Sequence, residues 1–183
     1  MGVYEELFTA AFREEPYKEP TWISWKHILQ GLTHCPACLK LDKCWFKEDK
    51  TPLNPQRDYC HCTTDPIPLS LVLSGATSEC SIHKFRDFVF DPRYAYKGKG
   101  DLFEKWGYSK EDSEFLRQEL KRQALEQYTA GQYTLGKLNK DGQRLSIRIE
   151  LWNRIKKEKV SFISGWMVEP NGKIRCTTPY EGK

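Results

Sequence analysis

The residues most able to do chemistry in this chain are its cysteines. There are seven in 183 residues, and Cys35, Cys38, Cys60 and Cys62 form two tight pairs, Cys35-Pro36-Ala37-Cys38 and Cys60-His61-Cys62. Two thiolates two residues apart can grip one tetrahedral ion, and a second close pair 21 residues on supplies the other two ligands. The odd total and the crowding favour metal ligation over a disulfide framework. The expectation is one structural Zn2+ held by Cys35, Cys38, Cys60 and Cys62, with His61, His34 and Cys44 as alternative ligands. A closed thiolate site contributes folding energy to a loop otherwise rich in Pro, Asn, Asp and Lys. The competing readings are buried free thiols or a redox pair, which also carries Cys-x-x-Cys. Deamination is disfavoured, because the His/Cys-x-Glu element that should accompany such a pair is missing: His61 is followed by Cys62 and Thr63.

A second set lies near the end of the chain. Arg144, Ser146 and Arg148 alternate with Leu145, Ile147 and Ile149, so one face of a strand carries cations and the other is apolar. Lys173 and Arg175 share a face of a further strand, continued by Thr177. Adjacent antiparallel strands could join these into a surface for phosphate. His83, the one histidine beyond the zinc module, is the acid/base candidate, with Lys84 beside it. The same pattern is what an ordinary solvated strand face shows. Trp166 and Met167 read as core rather than as a platform for bases, and Thr178 and Tyr180 finish the sheet or touch a ligand.

Charge is placed unevenly. The net +4 hides a balance of 11 Lys or Arg against 5 Asp or Glu over 137–183, with a slight acidic excess before it. A basic C-terminal part suits an anionic partner such as RNA. No segment approaches the roughly 20 apolar residues of a membrane span. The start, Met-Gly-Val-Tyr-Glu-Glu, lacks the basic and apolar regions of a signal peptide, and Glu6 argues against myristoylation of Gly2. A cytoplasmic location is expected, with no membrane partner.

These residues must be positioned by elements that the sequence pattern outlines. Tyr4, Leu7, Phe8 and Phe12 have helical spacing, and residues 1–20 read as a helix and linker. Trp22, Ile23, Trp25, Ile28, Leu29 and Leu32 read as a second helix stopped by Gly31, opening a zinc module over 21–67. A Pro-rich connector and a small-residue stretch over 63–83 place a domain boundary there. Phe85 to Phe90 form a short apolar segment, and Leu102, Phe103 and Trp106 a short helix closed by Gly107. Ser109 and Asp112 approximate a capping box for a helix over about 110–128, with Leu116, Leu120 and Ala124 on its buried face. Asp141-Gly142 and Asn171-Gly172 are hairpin turns around strands at 145–151, 160–168 and 174–176. The predicted fold is α+β: an N-terminal helical zinc-binding module, then helices packed on an antiparallel sheet over 83–183.

The run THCPACLKLDKCWF with CHCTTDPIP resembles the C-terminal cysteine module of phage head-morphogenesis (minor head) proteins. Where that family has a histidine three residues before Cys-x-Cys, this chain has Arg57, which implies a four-cysteine site or recruitment of His61. The runs HKFRDFVFDPRY, KGDLFEKWGY, LNKDGQRLSIRIEL and SGWMVEPNGKIRCTTPYEG resemble a domain that recurs at the C-termini of bacterial polymorphic toxins and mobile-element proteins. That second resemblance implies a small, metal-independent ribonuclease, with an immunity or phage protein as partner. His83, Arg144, Arg148 and Thr177 would then be catalytic, and Lys84, Lys173 and Arg175 would bind nucleic acid. The alternative is a zinc-stabilised module of phage origin that binds protein or nucleic acid without catalysis.

Overall fold

The structure is a computed structural model that describes residues 21–28, 36–53, 61–91, 93 and 99–181. It is a mixed helix-and-sheet protein with two sheets. The helix expected over 1–20 lies outside the described residues.

The first sheet has three strands, β1 (Trp22–Lys26), β2 (Trp45–Lys47) and β3 (Thr63–Ile67), in the order β2-β1-β3 and all antiparallel. The helical reading of Trp22, Ile23 and Trp25 is therefore corrected: these residues form the central strand of a sheet. Three bulky apolar residues within four positions satisfy either periodicity, and here Trp22, Ile23 and Trp25 are all buried on a strand paired along both edges, with the Trp22 ring against Tyr128 and Tyr133. Residues 29–32, which completed the helical stripe, lie outside the described set. Among the described residues the α-helical content of this region is one short helix, α1 (Pro36–Leu41), whose following turn is tied back to β1 by Lys43 N–H donating to Trp25 O at 2.7 Å.

After β3 come α2 (Leu69–Gly75) and β4 (Thr77–Glu79), then a widened π-type turn at Phe85–Val89 and α3 (Lys99–Glu104). The long helix α4 (Ser113–Thr129) begins as read from the sequence: the Asp112 carboxylate accepts the Ser109 N–H at 2.9 Å. Four strands complete the chain, β5 (Thr134–Asn139), β6 (Gly142–Asn153), β7 (Glu158–Glu169) and β8 (Lys173–Thr178). The second sheet runs β4-β8-β7-β6-β5; its pairs are antiparallel except β4 with β8. The Asn171-Gly172 turn has positive φ at both residues (60° and 74°), the geometry that a tight hairpin matched to strand twist demands.

One apolar core runs through both sheets. Leu145, Ile147, Ile149 and Leu151 of β6 face Leu116, Leu120, Ala124 and Tyr128 of α4, all buried. Phe103 sits edge-on to Phe85, Trp106 and Phe162, with centroids 5.6 to 6.2 Å away. The stretch over 63–83 expected to separate two parts is crossed by such contacts. Tyr128 Oη donates to Trp45 O at 2.7 Å, and Lys47 N–H donates to Tyr133 Oη at 2.8 Å. The Trp45 ring lies against Gly172, where a Cβ would come within 2.3 Å of it. No helix among the described residues is long and apolar enough to cross a membrane.

Candidate functional site

Because α4 packs on the apolar side of β6, the opposite side of the second sheet is left for solvent, and strand pairing arranges it in rows. Arg144 lies opposite Met167, which lies opposite Arg175. The next row is Thr134, Ser146, Gly165 and Thr178, and the next contains Arg148 and Ile163. Beyond β8 the chain continues along β7, and Glu181 N–H donates to Ile163 O at 2.9 Å. This turn of the backbone brings the Glu181 side chain over Gly165. A Cβ at residue 165 would sit 2.3 Å from Glu181 Oε1, so the glycine makes the room the carboxylate occupies.

The carboxylate is held from two sides. Arg144 Nη2 donates to Glu181 Oε1 at 3.0 Å, and Ser146 Oγ donates to Oε2 at 2.7 Å. Around this group opens a groove of about 950 Å³ whose lining includes Lys50, Gln127, Tyr133, Arg148, Thr178 and Tyr180. Among the described residues it therefore carries three cations, Lys50, Arg144 and Arg148, against one carboxylate. Lys50 reaches it from the 3-10 turn after β2, where its Nζ donates to Gly131 O at 2.7 Å, so both sheets contribute to the rim. Arg148 is held by Ser161 Oγ at 3.0 Å and has no ion-pair partner among the described residues. The floor is stiff: Trp166, on the buried side of β7, donates its Nε1–H to Ser164 Oγ at 2.7 Å, and that hydroxyl donates to Ile147 O at 3.1 Å.

The other residues singled out from the sequence fall elsewhere. Lys173 and Arg175 share the open sheet face, but ion pairs occupy them. Lys173 meets Glu79 and, at 3.3 Å, Glu169, and Arg175 meets Glu169. Lys173 holds the Glu79 carboxyl below its ordinary value by donating a hydrogen bond to it. His83 lies before the π-type turn, mostly exposed, with Nδ1 2.6 Å from Asp87 Oδ2, and is not among the groove's lining residues. Lys84 Nζ donates to Thr177 O at 2.8 Å. Thr177 is the extra residue at a bulge, since Gly165 pairs with Thr178 and Trp166 with Cys176. Its hydroxyl is buried without a hydrogen-bond partner among the described residues, and Thr178 lines the groove instead. Of the four catalytic candidates, the structure brings together Arg144 and Arg148 and leaves out His83 and Thr177.

Sequence reading missed Lys50 and, more consequentially, Glu181 among the groove residues. Glu181 belongs to no periodic pattern, and the signal that could have found it is Gly165, a glycine in the interior of a strand.

Of the four expected zinc ligands, Cys35 and Cys60 lie outside the described residues, as does His34. Cys38 on α1 and Cys62 just before β3 are both buried. Both segments attach at the Lys26 end of β1, where Asp42 Oδ1 accepts the His27 N–H at 3.0 Å and Lys26 pairs with Thr63. The Cys44 thiol sits 3.5 Å from Lys40 O and 3.9 Å from Val168 O, and burial pushes it up to about 12, so it stays protonated. Among the described residues, no group of three or more His, Cys, Asp or Glu side chains is placed to hold a metal ion. Comparison with known protein families, characterised proteins and solved structures finds no match in any of the three.

Proposed function

We propose that the groove is the active site of a metal-independent ribonuclease, of the kind found in toxin or mobile-element proteins. The observation that carries this reading is the Glu181 carboxylate, fixed by Arg144 and Ser146 in a groove with excess positive charge. Cleavage by the 2′-hydroxyl requires a base for that hydroxyl's proton and cations around the pentacoordinate phosphorane. Glu181 takes the proton, the 2′-oxygen attacks phosphorus, and the P–O5′ bond breaks with the 5′-oxygen taking a proton from solvent water, giving a 2′,3′-cyclic phosphate and a 5′-hydroxyl. Arg144 and Arg148 hold the non-bridging oxygens and stabilise their growing charge; Lys50 draws in the anionic chain. The base assigned to His83 from the sequence passes to Glu181.

Zinc is proposed as a structural ion closed by Cys35, Cys38, Cys60 and Cys62, remote from the chemistry. Support comes from the spacing of the pairs and from the burial of Cys38 and Cys62 at one end of the first sheet. One zinc per chain, lost from the Cys38→Ser protein, is the expected result of elemental analysis; metal-free native protein rejects it.

A second reading, RNA binding without cleavage, is favoured by one observation: among the described residues no imidazole lines the groove to return a proton to the leaving oxygen. Incubation with total tRNA and rRNA, with and without EDTA, separates the two. Cleavage that survives EDTA and is lost in a folded Arg144→Ala protein supports the enzyme. Intact RNA with tight, salt-sensitive retention supports the binder. Toxicity on expression, relieved by a neighbouring immunity protein, would support the toxin context.

A further inference from the structure

Cys80 and Cys176 take no part in either site above. Strand β4 pairs with β8 in parallel register, Thr77 with Lys173, Ser78 with Ile174 and Glu79 with Arg175, so the next step places Cys80 beside Cys176. Both side chains are buried. The Cys80 thiol faces Ser81 O at 3.9 Å, and the two cysteines shift each other's titration, Cys176 lowering Cys80 and Cys80 raising Cys176. Neighbouring strands lie about 4.8 Å apart, inside the ~4.4–6.8 Å between Cα atoms that a disulfide spans. Cations surround the pair. Lys84 is anchored on Thr177 O, and Lys121 belongs to the turn of α4 whose carbonyl accepts the Ser78 hydroxyl at 2.9 Å. With Arg117 they favour the thiolate of Cys80, whereas Cys176 is held firmly as the thiol.

We propose that Cys80 and Cys176 are a thiol–disulfide modification site whose oxidant is a low-molecular-weight disulfide. The Cys80 thiolate attacks one sulfur of that disulfide, forming a mixed disulfide and expelling one thiolate. Cys176 gives up its proton and attacks the Cys80 sulfur, expelling the second. Two protein thiols become one Sγ–Sγ bond, and one small disulfide becomes two small thiols. Access comes by local opening, since β4 is a three-residue strand at the sheet's edge. The bond staples β4, and the segment leading into it, to the strand that runs on to Glu181. The inference is independent of the proposed ribonuclease activity.

The test treats the native protein with oxidised glutathione, alkylates residual thiols, and maps the peptides by mass spectrometry. The expected product is a peptide linking Cys80 to Cys176, two hydrogen atoms lighter than its reduced components. Tm should rise by about 5 °C or more and return on reduction, because the bond closes a long loop. The Cys176→Ser protein should accumulate glutathione on Cys80, and the Cys80→Ser protein should carry none on Cys176. Alkylation of both residues after oxidation, or links confined to other cysteines, overturns the proposal.

Discussion

Two groups of cations share the open face of the second sheet, and their neighbours treat them differently. Lys173 and Arg175 are matched by Glu79 and Glu169 on adjacent strand positions, so their charge is balanced within the sheet. Arg144 and Arg148 stand across β7 from them, around a groove where Arg144 shares one carboxylate and Arg148 has no ion-pair partner among the described residues. The sequence ranks the two groups alike, as basic residues alternating along strands. What separates them is the supply of carboxylates nearby, and cations left unbalanced beside a cavity are the ones able to meet an anionic ligand.

The comparison breaks most sharply at Arg148. Its replacement by Ala should lower RNA cleavage by about 10²–10³-fold, the range for loss of one group stabilising transition-state charge, whereas Arg175→Ala should change it by about twofold or less. Equal losses in the two proteins, measured on the same RNA, would erase the distinction. The next effect is expected at Gly165→Ala. The added methyl displaces the Glu181 carboxylate and should cost roughly 10–100-fold in cleavage, with the far-ultraviolet spectrum unchanged. Tyr128→Phe tests the seam that brings Lys50 to the rim. Loss of its buried hydrogen bond to Trp45 O should cost about 1–3 kcal/mol in denaturant unfolding.

The smallest effect belongs to the balanced end. Lys173 lowers the Glu79 carboxyl below its model-compound value of 4.5. A depressed carboxylate stabilises the fold above 4.5, and that contribution fades as the pH falls through the lower folded value. Glu79→Gln should thus lower Tm by at most about 2 °C at neutral pH, with the gap closing in acid. A gap that widens in acid contradicts the pairing.

Strands β6 to β8 of the second sheet were legible because β6 obeys one period and Gly-containing turns bound it and its neighbours. Leu145 to Leu151 alternate cleanly, Asp141-Gly142 and Asn171-Gly172 turn where their φ angles allow, and Ser109 with Asp112 opens α4. The first sheet was not, since Trp22, Ile23 and Trp25 are too few and too densely apolar to choose between periods. α2 and β4 escaped because Leu69–Gly75 and Thr77–Glu79 are short and gain their order from contact with Trp45 and β8. Within the groove, Arg144 and Arg148 followed from alternation. Glu181 did not, because it enters the groove through a backbone contact with Ile163, a relation between residues distant in sequence. His83 stood out as a residue type, and its location next to Asp87 takes it out of the groove.

The most direct measurement is end-group analysis of RNA exposed to the wild-type and Glu181→Gln proteins in EDTA. The account predicts fragments ending in 2′,3′-cyclic phosphate from the wild type, and at least a hundredfold fewer from a variant that remains folded. Undiminished cleavage by Glu181→Gln, or wild-type products ending in 3′-hydroxyl groups, would contradict it.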